Sequence, residues 1–161
     1  MKNILITILI ILTILNSTFL IEIYKNDDLN KFYYNNQELS EDYSQKEKIH
    51  MQEVKNLINT SLIVNISLFL IFLINQKTNY KKIGKYLIIT SLFFYIATIF
   101  FQQLFHNFHL IFFNGNNWLL PPTSKLIQTY PETYFRNIFL TINTIYLVLG
   151  IFLNKLKLTN S

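Results

Sequence analysis

Apolar residues run along this chain in long unbroken stretches. They do not alternate as in a half-buried strand, and they do not form the single stripe of a soluble helix. A membrane-crossing helix needs about 20 mostly apolar residues. Four windows qualify: Ile4 to Ile23, Leu57 to Asn75, Tyr86 to about Phe105, and about Phe135 to Leu153, the shortest. Two polar connections, residues 24–56 and 106–134, join the first window to the second and the third to the fourth. The pattern predicts an all-α polytopic membrane protein of one domain, residues 1–161. Its four transmembrane helices carry a small cap and an aromatic-rich loop on the outer face.

Composition narrows this further. Only 14% of residues are charged, against about 25% in soluble domains, which excludes a disordered tail. Three Gly and three Pro are too few for the turns of a many-stranded β fold. No cysteine is present. The chain is therefore expected to have no disulfide, no thiolate metal site, no cysteine nucleophile and no lipidation site of its own. Lys2 gives the first window a basic start. No small-x-small cleavage site follows, and the apolar run continues through Phe19, Leu20 and Ile21. It reads as a retained span and not as a cleaved leader. Asn16, Asn59 and Asn65 stand in N-x-S/T triplets, but inside the windows, so they do not read as glycosylation sites.

Charge sets the expected orientation. Lys2, Lys77, Lys81, Lys82, Lys85, Lys155 and Lys157 lie at the two termini and in the short connection between the second and third windows, with no carboxylate among them. All nine carboxylates lie in or beside the two polar connections, along with the other seven cations. Net charges of +7 and −2 make up the overall +5. Short lysine-rich segments stay cytoplasmic. Both termini are therefore expected inside the cell membrane, with residues 24–56 and 106–134 outside. The lysines read as a topology determinant that meets anionic membrane lipids; no nucleic-acid partner is expected.

Candidate chemistry lies in the outer segments, which hold all three histidines. Ser44-Gln-Lys-Glu47 is a capping-box pattern. It predicts a helix that runs straight into the second span, with Glu47, His50 and Val54 on one face and Glu53 three residues beyond His50. His50 then stands about 10 Å before the span, at headgroup level. In the second outer segment His106 and His109 share a helical face amid Phe105, Phe108, Phe112 and Phe113. A turn at Asn114-Gly115-Asn116-Asn117 follows, then Trp118. So apolar a stretch outside a span predicts a re-entrant or interface-lying lining, such as a groove for acyl chains. Three roles stay open for the histidines: catalysis, metal or haem binding, and structure. Ionisable groups at lipid depth tend to be functional. No H-E-x-x-H, no His pair at i, i+4, no G-x-S-x-G and no glycine-rich phosphate loop occurs.

Three motifs carry a resemblance: S-x-x-E-x-x-H-M-x-E-V-K at Ser44 to Lys55, F-H-x-I-F-F-x-G-x-x-W at Phe108 to Trp118, and L-I-x-x-x-P at Leu126 to Pro131. Together they resemble the lipoprotein intramolecular transacylase (Lit) family of four-span membrane proteins, over somewhat more than half the chain. The resemblance implies a diacylglyceryl-modified lipoprotein as substrate. It also implies movement of the sn-2 acyl chain from glycerol to the α-amino group of the N-terminal cysteine, with no cofactor. Under that reading His109 is the expected base and His50 its acid or orienting partner, and the two assignments can be exchanged. Glu47 and Glu53 flank His50, while Phe108, Phe112 and Phe113 wall His109. Lys55, Asn117 and Trp118 are candidate donors to the oxyanion, with nothing in the sequence to choose among them. A non-enzymatic module that binds a lipid or partner is the alternative.

Overall fold

The structure, a computed structural model, describes residues 2–74 and 78–156. The apolar windows become helices α1 (Lys2–Lys25), α3 (Gln45–Ile74), α4 (Tyr80–Ala97) and α7 (Glu132–Lys155). A single 3₁₀ turn, Thr98–Phe100, joins α4 to α5 (Phe101–Phe112). Two short helices, α2 (Asp27–Tyr34) and α6 (Lys125–Thr129), lie in the polar connections, and no strand occurs among the described residues. Four of these rods, counting α4 with α5 as one, are long and apolar enough to cross a membrane. The fold is a four-span all-α membrane protein.

Two helices overrun the lengths expected of them. α3 has 30 residues, and at 1.5 Å each that is about 45 Å, against about 30 Å of hydrocarbon. Its charged residues, Lys46, Glu47, Lys48, Glu53 and Lys55, all fall before Leu57. That end therefore stands clear of the apolar span and carries His50. The third rod runs on to Phe112 instead of ending near Phe105. No Gly or Pro stands between Phe105 and Gly115, so the first part of the expected lining is a continuation of the helix.

The lysine-bearing ends gather at one end of the bundle. Asn79 donates its backbone N–H to Asn3 Oδ1 at 3.2 Å, and Gly84 lies against Gly150 and Asn154. At the opposite end, Lys46 donates to the Leu119 carbonyl at 2.6 Å, Lys125 bridges Asp28 and Asp42, and Tyr134 donates to Glu22. The two polar connections thus fold over one mouth of the bundle. Their packing has its own core of Leu29, Phe32, Tyr43, Met51 and Leu126, separate from the core of Ile6, Ile83, Leu87, Ile142 and Tyr146 among the spans.

Between apolar helices the hydrophobic drive is weak, so polar pairs and small side chains hold the spans. α1 meets α3 through Ser61 donating to Asn16 Oδ1 at 2.8 Å and Asn65 donating to Thr13 at 3.0 Å. α4 meets α7 through a reciprocal pair: Ser91 Oγ donates to the Asn143 carbonyl, and Asn143 Nδ2 donates to the Ser91 carbonyl, both at 3.0 Å. Ile63, Ile66 and Leu73 of α3 stay more than half exposed, as expected of a surface that lipid covers.

Candidate active site

α3 begins as the sequence predicts. The Ser44 amide and hydroxyl both donate to Glu47 Oε2, at 2.8 and 2.7 Å. Glu47 is 2% exposed, and its other oxygen accepts the Leu126 amide at 2.9 Å. Burial alone would raise this carboxyl. The donors from Leu126 and Ser44 outweigh it and hold the group below its usual range. Both Glu47 oxygens are thus taken by donors from Ser44 and Leu126, and the side chain closes the helix start and latches α6 onto α3.

One turn further, His50 leaves α3 toward α5, and its ring centroid lies 5.8 Å from that of His109 with 34° between the planes. Each is less than one-tenth exposed. Phe113 packs against both, at 4.8 Å from His50 and 5.2 Å from His109. Phe105, at 4.4 Å, and Phe108, at 5.6 Å, add to the wall around His109. Phe112 packs against Phe108 and stays half exposed, outside this wall.

The hydrogen bonds define a tautomer. His109 Nδ1 lies 2.7 Å from the Phe105 carbonyl. A carbonyl only accepts, so Nδ1 carries the proton and Nε2 holds the free lone pair. Phe105 is four residues back on the same helix, so an aromatic position that reads as lining in the sequence also orients the ring through its backbone. His50 Nδ1 is 3.7 Å from Glu53 Oε2, too long for a hydrogen bond. Burial, and next the nearby His109, push the His50 imidazole down to about 4. Burial also lowers His109, opposed by its bond to Phe105, while the charge of His106 pushes it further down.

The remaining candidates separate cleanly. Lys55 Nζ donates to the Phe32 carbonyl at 2.7 Å and to Asn36 Oδ1 at 2.8 Å, and so braces the first connection. Asn117 Nδ2 donates to Glu53 Oε1 at 3.5 Å. Trp118 lies 5.0 Å from His109, and the exposed His106 meets its ring edge-on at 5.1 Å. His50 Nδ1, Glu53 Oε2 and Trp118 Nε1 are buried without a hydrogen-bond partner. Among the described residues no three His, Cys, Asp or Glu side chains converge on a metal position.

Four spanning rods under a folded-over polar cap, with a paired imidazole set in aromatic rings at its edge, define a polytopic membrane protein that holds a buried titratable centre near the lipid boundary. A model of the family described as lipoprotein intramolecular transacylase Lit matches residues 13–135. That stretch takes in the capped start of α3, both histidines, Trp118 and α6. The chain belongs to the lipoprotein intramolecular transacylase family. No curated protein and no solved structure matches it.

Proposed function

We propose that this chain moves the sn-2 acyl group of a diacylglyceryl-modified lipoprotein onto the α-amine of its N-terminal cysteine, by histidine acid–base chemistry at the outer face of the membrane. The observation that supports it most is the His109 ring. Its Nδ1 is pinned to the Phe105 carbonyl, its Nε2 is unencumbered, and it faces His50 across 5.8 Å.

The chemistry needs a base first. An α-amine has a pKa of about 8 and is largely protonated at neutral pH. Neutral His109 takes a proton through Nε2 as the amine nitrogen attacks the ester carbonyl. The glyceryl oxygen then leaves and takes a proton from the imidazolium. His50 assists as acid or orienting partner. Donor and acceptor belong to one molecule, so the protein mainly holds them together, and proximity of this kind supplies on the order of 7–11 kcal/mol in well-oriented cases. Phe105, Phe108 and Phe113 form the apolar wall that seats the acyl chain. The lysine-rich end faces the cytoplasm, in line with the charge rule.

The test is a purified, detergent-solubilised chain incubated with a synthetic diacylglyceryl-cysteine lipopeptide that bears a free amine. The reaction is an isomerisation, so the intact mass does not change. Fragment spectra are expected to move one acyl group from the glyceryl fragment to the peptide N-terminus. An unchanged fragment pattern after prolonged incubation with folded protein would refute the activity. A lipid- or partner-binding module would give that same unchanged pattern while still retaining the lipopeptide.

The lowered histidines fix the sign of the pH response. The neutral imidazole is the working form, so a depressed pKa moves the acid limb to lower pH. Expressed per unit of unprotonated amine, the rate should fall on the acid side with a midpoint below the ordinary imidazole value of 6.5. A limb at or above 6.5 in that normalised profile would contradict the buried, neutral pair.

A further inference from the structure

The sequence offers Lys55, Asn117 and Trp118 as donors to the oxyanion that forms when an amine adds to an ester, and their surroundings separate them. Lys55 is spent on a carbonyl and an amide oxygen of the first connection. Asn117 is turned to Glu53. The indole N–H of Trp118 is buried, has no partner, and belongs to a ring packed against His109. An indole N–H is a donor only. Left unpaired in the interior it lacks the hydrogen bond it would make in water, and an incoming oxygen would supply one. It is also fixed in place: Lys46 of α3 holds the Leu119 carbonyl, and Glu47 holds the Leu126 amide, on either side of the Pro121-Pro122 break.

From this arrangement we infer that Trp118 is a catalytic residue whose Nε1–H binds the carbonyl oxygen of the ester undergoing transfer and holds the oxyanion of the tetrahedral intermediate. The inference rests on the proposed acyl transfer and assigns the carbonyl side of it. As the amine nitrogen bonds to the carbonyl carbon, the C=O π pair moves onto oxygen and the Nε1–H bond to it strengthens. The proton lost by nitrogen goes to His109 Nε2. Collapse of the intermediate restores C=O, breaks the bond to the glyceryl oxygen, and returns the proton to that oxygen. The products are an amide and a free glyceryl hydroxyl, with no further reactant consumed.

The chain contains one tryptophan. A tryptophan auxotroph fed benzothienylalanine, in which sulfur replaces the N–H, therefore alters position 118 alone and keeps the shape of the ring. This protein and the Trp118→Phe variant are assayed on the lipopeptide beside the unaltered chain and His109→Asn. Removing one oxyanion donor costs about 10²–10³-fold, so the rate at saturating substrate should fall by roughly that factor, with KM within about threefold. A rate within threefold of the unaltered protein overturns the assignment, and so does a loss confined to KM, which would make the indole a binding surface only. If Trp118→Phe does not fold, the analogue decides by the same criteria. Should His109→Asn retain full rate, the proposed chemistry itself fails. An inactive His109→Asn beside a fully active analogue would remove only the role of the indole.

Discussion

The His109→Asn substitution should lower the rate of acyl transfer by about 10³-fold, within the range general-base catalysis contributes, and leave the bundle folded. The asparagine amide sits where Nδ1 sits and can still donate to the Phe105 carbonyl, so the local hydrogen bond survives. What disappears is Nε2, the only basic nitrogen this ring presents. His50→Asn should be damaging as well, because its ring faces His109 at 5.8 Å and packs on the same Phe113. His106→Ala should be mild. That ring is exposed and touches the site only through the edge of Trp118. The readout is the fragment spectrum of the lipopeptide, with protein yield and thermal unfolding recorded beside it. Normal transfer by His109→Asn, or a complete loss in His106→Ala alone, would reverse this ranking of the three histidines.

The second large effect concerns the fold. Gly84 of α4 lies so close to α7 that a Cβ built on it stands 2.6 Å from both the Asn154 nitrogen and the Gly150 oxygen. These are backbone atoms, and a helix backbone cannot swing aside as a flexible side chain does. Gly84→Ala must push α4 off α7 and stretch the nearby Ser91–Asn143 hydrogen bonds, each 3.0 Å long. Overpacking of a tight interface typically costs about 1–3 kcal/mol, and here two helix–helix hydrogen bonds are strained in addition. Thermal unfolding in detergent should shift down by several degrees, on the order of 2–4 °C per kcal/mol for a chain of this size. Gly84→Leu should fail to give a monodisperse protein. An unchanged midpoint for Gly84→Ala would mean that the close approach is not maintained in detergent.

Much of this molecule is legible in its sequence, for identifiable reasons. The spans announce themselves because lipid demands continuous apolar runs with every backbone group satisfied internally. The start of α3 is legible because a capping box is a local device, complete within Ser44 to Glu47. Local spacing fails where a side chain is claimed by a distant element. Glu47 lies one turn before His50, and spacing alone assigns it to that ring, while Lys55 reads as a candidate oxyanion donor. The structure gives Glu47 to Leu126, 79 residues on, and Lys55 to Phe32, 23 residues back. The run to Phe112 is hidden from a hydropathy window because Gln102, Gln103 and His106 lower the apolar count while leaving the helix uninterrupted. The meeting of His50 with His109 is a tertiary fact that no window contains.

The junction at Thr98–Phe100 governs where His109 points. A 3₁₀ turn advances about 120° per residue against about 100° in an α-helix. Three residues in that form therefore rotate everything beyond them by roughly 60° relative to an unbroken helix. The backbone at Phe100, φ −109° and ψ 33°, marks the step. The junction works like the offset in a camshaft. The lower part of the rod keeps its seat against α7 while the upper part presents its imidazole at a different bearing, so these three residues set the direction from which the His109 ring meets His50.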